Sequence, residues 1–218
     1  MAGSERLRPV YNGMNYQTLA NTETIKKTSD AIMERGVEAI VVDTPAEALE
    51  KIKSLIPAGA SVMNGSSRTL EEIGFVEYLK SGTHGWNNLH EAIFKETDKE
   101  KQRMLRKQSV LSDFYLGSVH AIAETGEMLI ASNSGSQLPH IVFTSPNIIF
   151  VAGVQKIVST LADSMRRVED YVYPMEDKRA KDIGYGGSQI SKLLIFNKEN
   201  PKMGRKVRII LVNQKLGF

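Results

Sequence analysis

The chain has 218 residues, of which 41% are hydrophobic and 24% are charged, the balance of an ordinary protein with enough apolar residues for a core. The formal net charge is +3, and basic residues are mixed with acidic ones rather than set beside aromatic side chains, which argues against nucleic-acid binding. The chain has no cysteine, which excludes a disulfide framework and any cysteine-ligated zinc or iron–sulfur site within it.

The N-terminal sequence predicts a cytoplasmic protein. It lacks the apolar stretch of a secretory signal, and no uninterrupted apolar run reaches the ~18 residues that a membrane-spanning helix needs. No repeat, low-complexity tract or linker divides the chain. We therefore expect one α/β domain over residues 1–218, with residues 1–15 as an extended N-terminal arm, and no association with membranes.

The first third of the chain alternates between helical and β patterns. Residues 17–35 have the apolar spacing of a helix, and residues 37–42 form a β-rich run. Residues 44–47 read Thr-Pro-Ala-Glu, a capping box with proline at the first helical position, and a short strand is predicted at residues 60–64. Strand, helix and strand form a βαβ unit, so the two strands should run parallel.

The remaining two thirds predict a largely helical stretch followed by closely spaced strands. The helical stretch covers residues 75–112, with a break near residues 81–88. A further helix is predicted over residues 155–171, with a polar, irregular segment over residues 173–187. The strands are predicted at residues 119–123, 128–132, 141–143, 148–152, 193–196 and 207–212. This pattern favours a single domain with helices on both sides of a mixed sheet.

A turn of small polar residues follows the predicted strand at 60–64. Gly65, Ser66, Ser67, Arg68 and Thr69 open a helix at the carboxyl edge of the sheet, where α/β proteins usually bind ligands. Backbone N–H groups, hydroxyls and the Arg68 guanidinium suit a phosphate or a carboxylate. The alternative is structural, because Thr69 and Glu72 also have the spacing of a capping box and Arg68 could be solvated.

The strand predicted at residues 119–123 ends in Glu124, Thr125 and Gly126. A carboxylate at the end of an apolar run has little reason to be there unless it is paired or used, and glycine lets a ligand approach the strand end closely. These residues predict a catalytic Glu124 with Thr125 and Gly126 beside the substrate. The alternative is that Glu124 starts a turn in which Gly126 takes positive φ before the next strand.

Other polar residues give weaker signals. Asn133 lies in a loop of small donors over residues 132–137, which could close over a ligand beside Glu124 or form a polar turn. His120 is interpreted as a half-buried histidine without a catalytic role, with a role in the site as the alternative. The four histidines lack metal-ligand spacing, and no glycine-rich nucleotide fingerprint is present, so we predict no metal site and leave any cofactor unknown.

Three short motifs together resemble the lactate-utilisation family, whose members are also called LUD-domain proteins. They are Asn-Gly-Ser-Ser-Arg-Thr-Leu-Glu-Glu-Ile-Gly at 64–74, Ala-Ile-Ala-Glu-Thr-Gly at 121–126 and Val-Ala-Gly-Val-Gln-Lys-Ile-Val at 151–158. The likeness runs from about residue 15 to the end. It implies a three-layer α/β/α domain with a mostly parallel sheet, as in ribose-5-phosphate isomerase, glucosamine-6-phosphate deaminase and class I coenzyme A transferases.

The resemblance also implies chemistry and partners. In the related transferases a strand-end glutamate attacks a thioester, a context similar to that of Glu124, which could equally act as a general base. In the isomerases a turn similar to residues 65–69 holds the substrate phosphate. Family members are associated with lactate oxidation beside iron–sulfur proteins. Any cluster would therefore lie in partner subunits, because this chain has no cysteine.

One segment departs from the family pattern. The family usually has a Gly-Pro-Ser-Arg-Thr-Ala-Asp-Ile-like turn where this chain has Gly-Gly-Ser-Gln-Ile-Ser-Lys at 186–192. The second half of the expected pocket is therefore altered. Two functions follow as hypotheses: binding of a small anionic metabolite with transferase- or isomerase-like chemistry, or an accessory, non-enzymatic role in an iron–sulfur complex. A homo-oligomer is compatible with either hypothesis.

Overall fold

The structure, a computed structural model, describes residues 15–218, so the N-terminal arm expected over residues 1–15 lies almost wholly outside the described residues. The chain forms a mixed α/β fold with ten strands among the described residues. The strands are β1 (Glu38–Val42), β2 (Ser61–Asn64), β3 (Asn87–Asn88), β4 (Phe114–Gly117), β5 (Ala121–Ala123), β6 (Met128–Ser132), β7 (Asn147–Gly153), β8 (Ile157–Val158), β9 (Lys192–Phe196) and β10 (Lys206–Val212).

Eight α-helices accompany these strands in the described part of the chain. They are α1 (Thr22–Glu34), α2 (Pro45–Leu55), α3 (Arg68–Glu72), α4 (Phe75–Ser81), α5 (Leu89–Lys95), α6 (Lys99–Gln108), α7 (Leu161–Arg167) and α8 (Tyr173–Asp182). The predicted cap of α2 is confirmed, since Thr44 accepts a hydrogen bond from the Glu47 N–H at 3.2 Å and Pro45 is the first helical residue. No helix between residues 15 and 218 is both long and apolar enough to cross a bilayer.

The central sheet has six parallel strands in the order β1-β10-β7-β4-β2-β3. Its middle strands are buried on both faces, as parallel strands covered by helices should be. On β7, Ile148 and Phe150 pack into one hydrophobic cluster, and Ile149 and Val151 pack into another. Two cores on opposite faces of one sheet give the three-layer α/β/α arrangement that the sequence predicted.

The predicted parallel relation of the first two strands is confirmed, although β10, β7 and β4 lie between β1 and β2. The prediction of one sheet was incomplete. A single strand was predicted in this part of the chain, at residues 119–123, but β4 precedes it at residues 114–117, and the chain leaves the central sheet after Gly117. Strand β5 then enters a second sheet of four strands, in the order β8-β5-β6-β9.

Three predictions for the second half of the chain were wrong. Residues 141–143 belong to a π-helical turn, His140–Thr144, in which Val142 and Phe143 point to solvent, so this apolar run is not a buried strand. Residues 155–158 form a 3₁₀ turn and β8, and the helix begins only after the N-cap Thr160, which accepts from the Asp163 N–H.

The segment expected to be irregular is also helical over most of its length. Helix α7 continues through a π-helical turn, Val168–Val172, into α8, and Pro174 is tolerated because it directly follows this turn, where the regular i→i−4 hydrogen bonds are already interrupted. Irregular structure begins only beyond Asp182. The result is one long helical segment, from Leu161 to Asp182, with a π turn in its middle.

The turn between β5 and β6 supports a stability prediction. Gly126 has φ +95°, and a Cβ there would lie 2.8 Å from the backbone of Ala31 in α1. Gly59 is a matched control, because it has φ +80° but nothing within 4 Å of the equivalent position. We expect Gly59→Ala to lower the free energy of unfolding by about 1 kcal/mol from backbone strain alone. Gly126→Ala should cost a further ~1–3 kcal/mol from the clash with α1.

Urea unfolding of the two variants beside the unchanged chain measures this difference. Equal losses in Gly126→Ala and Gly59→Ala would contradict the close packing of α1 on the β5–β6 turn.

Candidate functional site

A cavity of about 530 Å³ opens at the carboxyl ends of the central parallel strands. Its walls include Gly65 after β2, Ser118 after β4, Lys156 after β7 and Gly217 after β10. Parallel α/β sheets place ligands at this edge, and the volume lies within the range of small-molecule sites. This cavity is therefore the candidate functional site.

All five residues of the predicted turn at 65–69 line the cavity. Its entry is fixed by close packing, since the Gly65 N–H donates to the Leu116 carbonyl at 3.1 Å and a Cβ on Gly65 would lie 2.6 Å from the Tyr115 hydroxyl oxygen. Ser67, rather than Thr69, caps α3. Helix α3 has only five residues, so the helix dipole expected to hold an anion is weak here.

The side chains of Arg68 and Thr69 are both engaged by other residues of the protein. Arg68 forms an ion pair with Glu71 at 2.7 Å, and its side chain remains about half exposed. The buried Thr69 directs its hydroxyl inward, where it accepts hydrogen bonds from Ser118 at 3.2 Å and from Lys156 at 3.0 Å. Thr69 therefore belongs to a buried polar cluster and not to a capping box with Glu72.

The ammonium group of Lys156 is the centre of this cluster. Lys156 is 2% exposed, and its Nζ donates to the Thr69 Oγ1 at 3.0 Å, the Ser118 Oγ at 3.1 Å and the Val119 carbonyl at 3.1 Å. Within residues 15–218, Lys156 forms no ion pair with a carboxylate. An unneutralised cation is thus buried in the wall of the cavity. Such burial destabilises the fold unless the amine loses its proton or a bound ligand neutralises the charge.

Burial, followed by the charge of the nearby Arg167 guanidinium, lowers the pKa of Lys156 to about 7, against a smaller opposing effect of Glu72. Arg167 is itself completely buried beside the rings of Tyr16 and Tyr171. Its Nη1 donates to the His120 carbonyl, and its Nε and Nη2 have no partner among the described residues. Two cations without carboxylates therefore lie behind this wall of the cavity.

His120 and Asn64 also line the cavity. The Nδ1 of His120 accepts a hydrogen bond from the Ala131 N–H at 3.0 Å, so the neutral ring carries its proton on Nε2. Burial, followed by the charges of Lys156 and Arg167, lowers the pKa of His120 to about 3. The Asn64 side chain is buried, and its Oδ1 has no donor within the described residues. A ligand that donates a hydrogen bond would satisfy this oxygen.

The remaining predicted site residues divide into two groups. Asn133 lines the cavity, where its Oδ1 accepts from the Ser191 hydroxyl at 3.1 Å, and the loop that contains it contributes further hydroxyls. Glu124, Thr125 and Gly126 are absent from the cavity wall. The structure therefore brings residues 65–69 together with Asn133 but not with Glu124.

Glu124 lies in the turn between β5 and β6, against helix α1. Its carboxylate pairs with Lys27 at 2.8 Å, and the Arg35 side chain donates to the Thr125 carbonyl at 2.7 Å. The positive φ of Gly126 confirms the alternative interpretation of this segment as a hairpin turn. The catalytic assignment of Glu124 stays a prediction, and its surroundings provide no contact to the cavity that would support it.

Sequence reasoning missed Lys156, which it assigned to the first turn of a helix predicted over residues 155–171. A signal was available, because the lysine follows an apolar run over residues 148–154, where a charge needs a partner or a use. The segment that departs from the family pattern does reach the cavity, because residues 187–190 line it. In the part of the chain that the structure describes, no group of three or more His, Cys, Asp or Glu residues is arranged to hold a metal ion.

Comparisons with known proteins agree with this architecture. The chain matches the family described as the LUD domain over residues 25–211. It is also similar to the 1.70 Å crystal structure of a DUF162 family protein from Deinococcus radiodurans, with a TM-score of 0.55 and 15% sequence identity. That alignment covers 90% of this chain and 100% of the other, and at this identity it concerns the fold alone. No curated protein matches the chain.

The buried amine predicts an unusual pH dependence of stability. The pKa of Lys156 is about 7 in the folded chain and has an ordinary value near 10.5 in the unfolded chain. Between these values the unfolded state binds one more proton, so the free energy of unfolding should rise with pH by up to ~1.4 kcal/mol per unit from this group. Below pH ~7 both states are protonated and this contribution is flat.

We expect Lys156→Met to lose this rise, because methionine fills the space without a titrating group. Urea denaturation at several pH values between about 7 and about 10 measures the slope. Lys80→Met is the control, since Lys80 is an exposed residue that pairs with Glu77, and it should keep the slope of the unchanged chain. Parallel profiles for Lys156→Met and the unchanged chain would contradict a shifted pKa at Lys156.

Proposed function

The chain belongs to the LUD domain family, and on that premise we propose that it binds a small anionic metabolite in the cavity at the carboxyl ends of β2, β4, β7 and β10. The anion is a phosphate or a carboxylate, either free or as part of a coenzyme A ester. The observation that carries the proposal is the imbalance of charge in the cavity wall.

Four basic side chains line the cavity against one acidic side chain. The basic residues are Arg68, Arg106, Lys156 and Arg179, and the acidic residue is Glu176. Glu176 is already engaged by Arg179 through two hydrogen bonds of 2.7 Å, and Arg68 is paired with acidic residues of its own helix. This pairing leaves Arg106 and Lys156 as positive charges that a ligand would neutralise.

Arg106 is well situated to meet the anion. It is exposed in the last turn of α6, lines the cavity, and has no ion-pair partner within residues 15–218. Its charge also acts on the cavity residue His90, whose pKa is lowered first by burial and then by Arg106. An exposed guanidinium at the wall can capture an anion, and the serine-rich turns at residues 65–69 and 132–136 can supply hydrogen bonds.

The proposed chemistry does not use Glu124, because the carboxylate is engaged by Lys27 at the β5–β6 turn. The transferase- and isomerase-like activities implied by the family resemblance would instead depend on groups of the cavity wall, namely Lys156, His120 and the hydroxyls around them. Lactate, ribose 5-phosphate and acetyl-coenzyme A represent the three kinds of anion that such a cavity could accept.

A thermal-shift measurement tests binding directly. A ligand that binds only the folded chain stabilises it by mass action, by about 2.7 kcal/mol at a concentration 100 times its dissociation constant. We expect at least one of the three anions to raise the melting temperature. If none does so, and the chain instead co-purifies with iron–sulfur proteins, the accessory role replaces this proposal.

Arg106→Ala should weaken binding of that anion about tenfold, because one charged hydrogen bond is lost. Arg103→Ala is the matched control in the same helix, since Arg103 pairs with Glu100 at 3.1 Å and does not line the cavity. Isothermal titration of both variants gives the dissociation constants. Equal affinities in Arg106→Ala and Arg103→Ala would contradict a binding site at this wall.

A further inference from the structure

We propose that Lys156 is a nucleophile that forms a Schiff base with the carbonyl group of an anion bound in the cavity. This inference rests on the proposed anion-binding function and names its substrate class, a small anion that carries an aldehyde or ketone. Oxo acids and phosphorylated aldehydes or ketones share this chemistry.

The position of Lys156 supports a reactive role. The residue follows β7 and forms part of the cavity wall, while its side chain is buried beside the hydroxyls of Thr69 and Ser118. A lysine that served only as a structural cross-link would be expected to have a carboxylate partner, and none pairs with it in the described part of the chain. The amine is thus next to the ligand space and without a fixed counter-charge.

The hydrogen-bond partners of Lys156 also suit an amine that has lost its proton. Hydroxyl groups can donate as well as accept, so Thr69 and Ser118 can keep their contacts with an uncharged amine, while the Val119 carbonyl accepts from it in either state. A carboxylate in their place would hold the proton on the nitrogen. Burial and the charge of Arg167 favour the uncharged amine as well.

The reaction needs no further co-reactant. The amine lone pair forms a bond to the carbonyl carbon, the oxygen takes up a proton, and the nitrogen releases one to give a carbinolamine. Loss of the hydroxyl as water then leaves a carbon–nitrogen double bond, so amine and carbonyl give imine and water. His120, which lines the same cavity and carries its proton on Nε2 when neutral, can donate a hydrogen bond to the carbonyl or carbinolamine oxygen, while solvent water supplies and takes up the protons.

Arg106 explains why the carbonyl compound should be an anion. It lines the same cavity as Lys156 and has no ion-pair partner within residues 15–218, so a carboxylate or phosphate bound to it would hold the carbonyl group of a short molecule in the cavity that contains the amine. A neutral aldehyde lacks this attachment. Anion dependence of the reaction is therefore part of the proposal.

Reductive trapping tests the proposal on the unchanged full-length chain. The protein is incubated near neutral pH with sodium cyanoborohydride and one of three probes: glyoxylate, glycolaldehyde phosphate or the uncharged propionaldehyde. Peptide mass spectrometry then measures the modified fraction of each lysine. Cyanoborohydride adds hydride to the imine carbon and leaves a stable secondary amine.

We expect at least one anionic probe to modify Lys156 at least about tenfold faster than the exposed Lys80 and Lys178, since an ordinary lysine is almost wholly protonated at this pH. The two anionic arms distinguish an oxo acid from a phosphorylated aldehyde. Propionaldehyde should show no such preference for Lys156. Equal preference with propionaldehyde would overturn the anionic substrate class.

Failure of the Schiff base can be separated from failure of the proposed function. Labelling confined to exposed lysines, in a protein whose melting temperature lactate or ribose 5-phosphate still raises, would overturn the nucleophile and leave anion binding intact. Absence of both effects would overturn both proposals. Lys156→Arg keeps a positive charge but forms no imine, so it should lose the fast-labelling site, while Lys80 and Lys178 keep their slow labelling.

Discussion

The buried amine of Lys156 is the constraint on which the candidate site depends. Its three hydrogen bonds join helix α3, through Thr69, to the chain that leaves β4, through Ser118 and Val119. Lys156 itself follows β7, so one cation connects segments from three parts of the molecule. Because no carboxylate neutralises it among the described residues, burial of this charge costs folding free energy that favourable interactions elsewhere in the structure have to offset.

Much of the fold could be predicted because its central elements have strong local signals. The proline-containing cap at Thr44 and the apolar runs of β7 and β10 are examples, and the family resemblance implied the three layers. The errors arose where tertiary packing outweighs pattern. The apolar run in His140–Thr144 turns into a π-helical turn with exposed side chains, and Thr160 starts α7 later than the apolar spacing indicated.

The candidate site could be predicted only in part, because its residues meet through the topology of the sheet. The turn at residues 65–69 was identified because it follows a predicted strand and opens a helix, and that strand, β2, does belong to the central sheet. Glu124 also directly follows a predicted strand. However, the chain leaves the central sheet after Gly117, and β5 belongs to the other sheet. Within the second sheet, the end of β6 lines the cavity through Ala131 and Ser132 whereas the end of β5 does not, and no local pattern reveals which strand ends reach the site. Lys156 was missed because residues 155–171 have helical spacing.

The walls of the cavity include the ends of four parallel strands, from Asn64 on β2 to Gly217 beyond β10. No short piece of the chain contains the site. Strand β10, which comes late in the sequence, lies between β1 and β7 in the central sheet. Recognition of a ligand is consequently a property of the finished tertiary structure. A ligand in the cavity would contact segments that are distant in the sequence, and its binding would oppose local unfolding of β10.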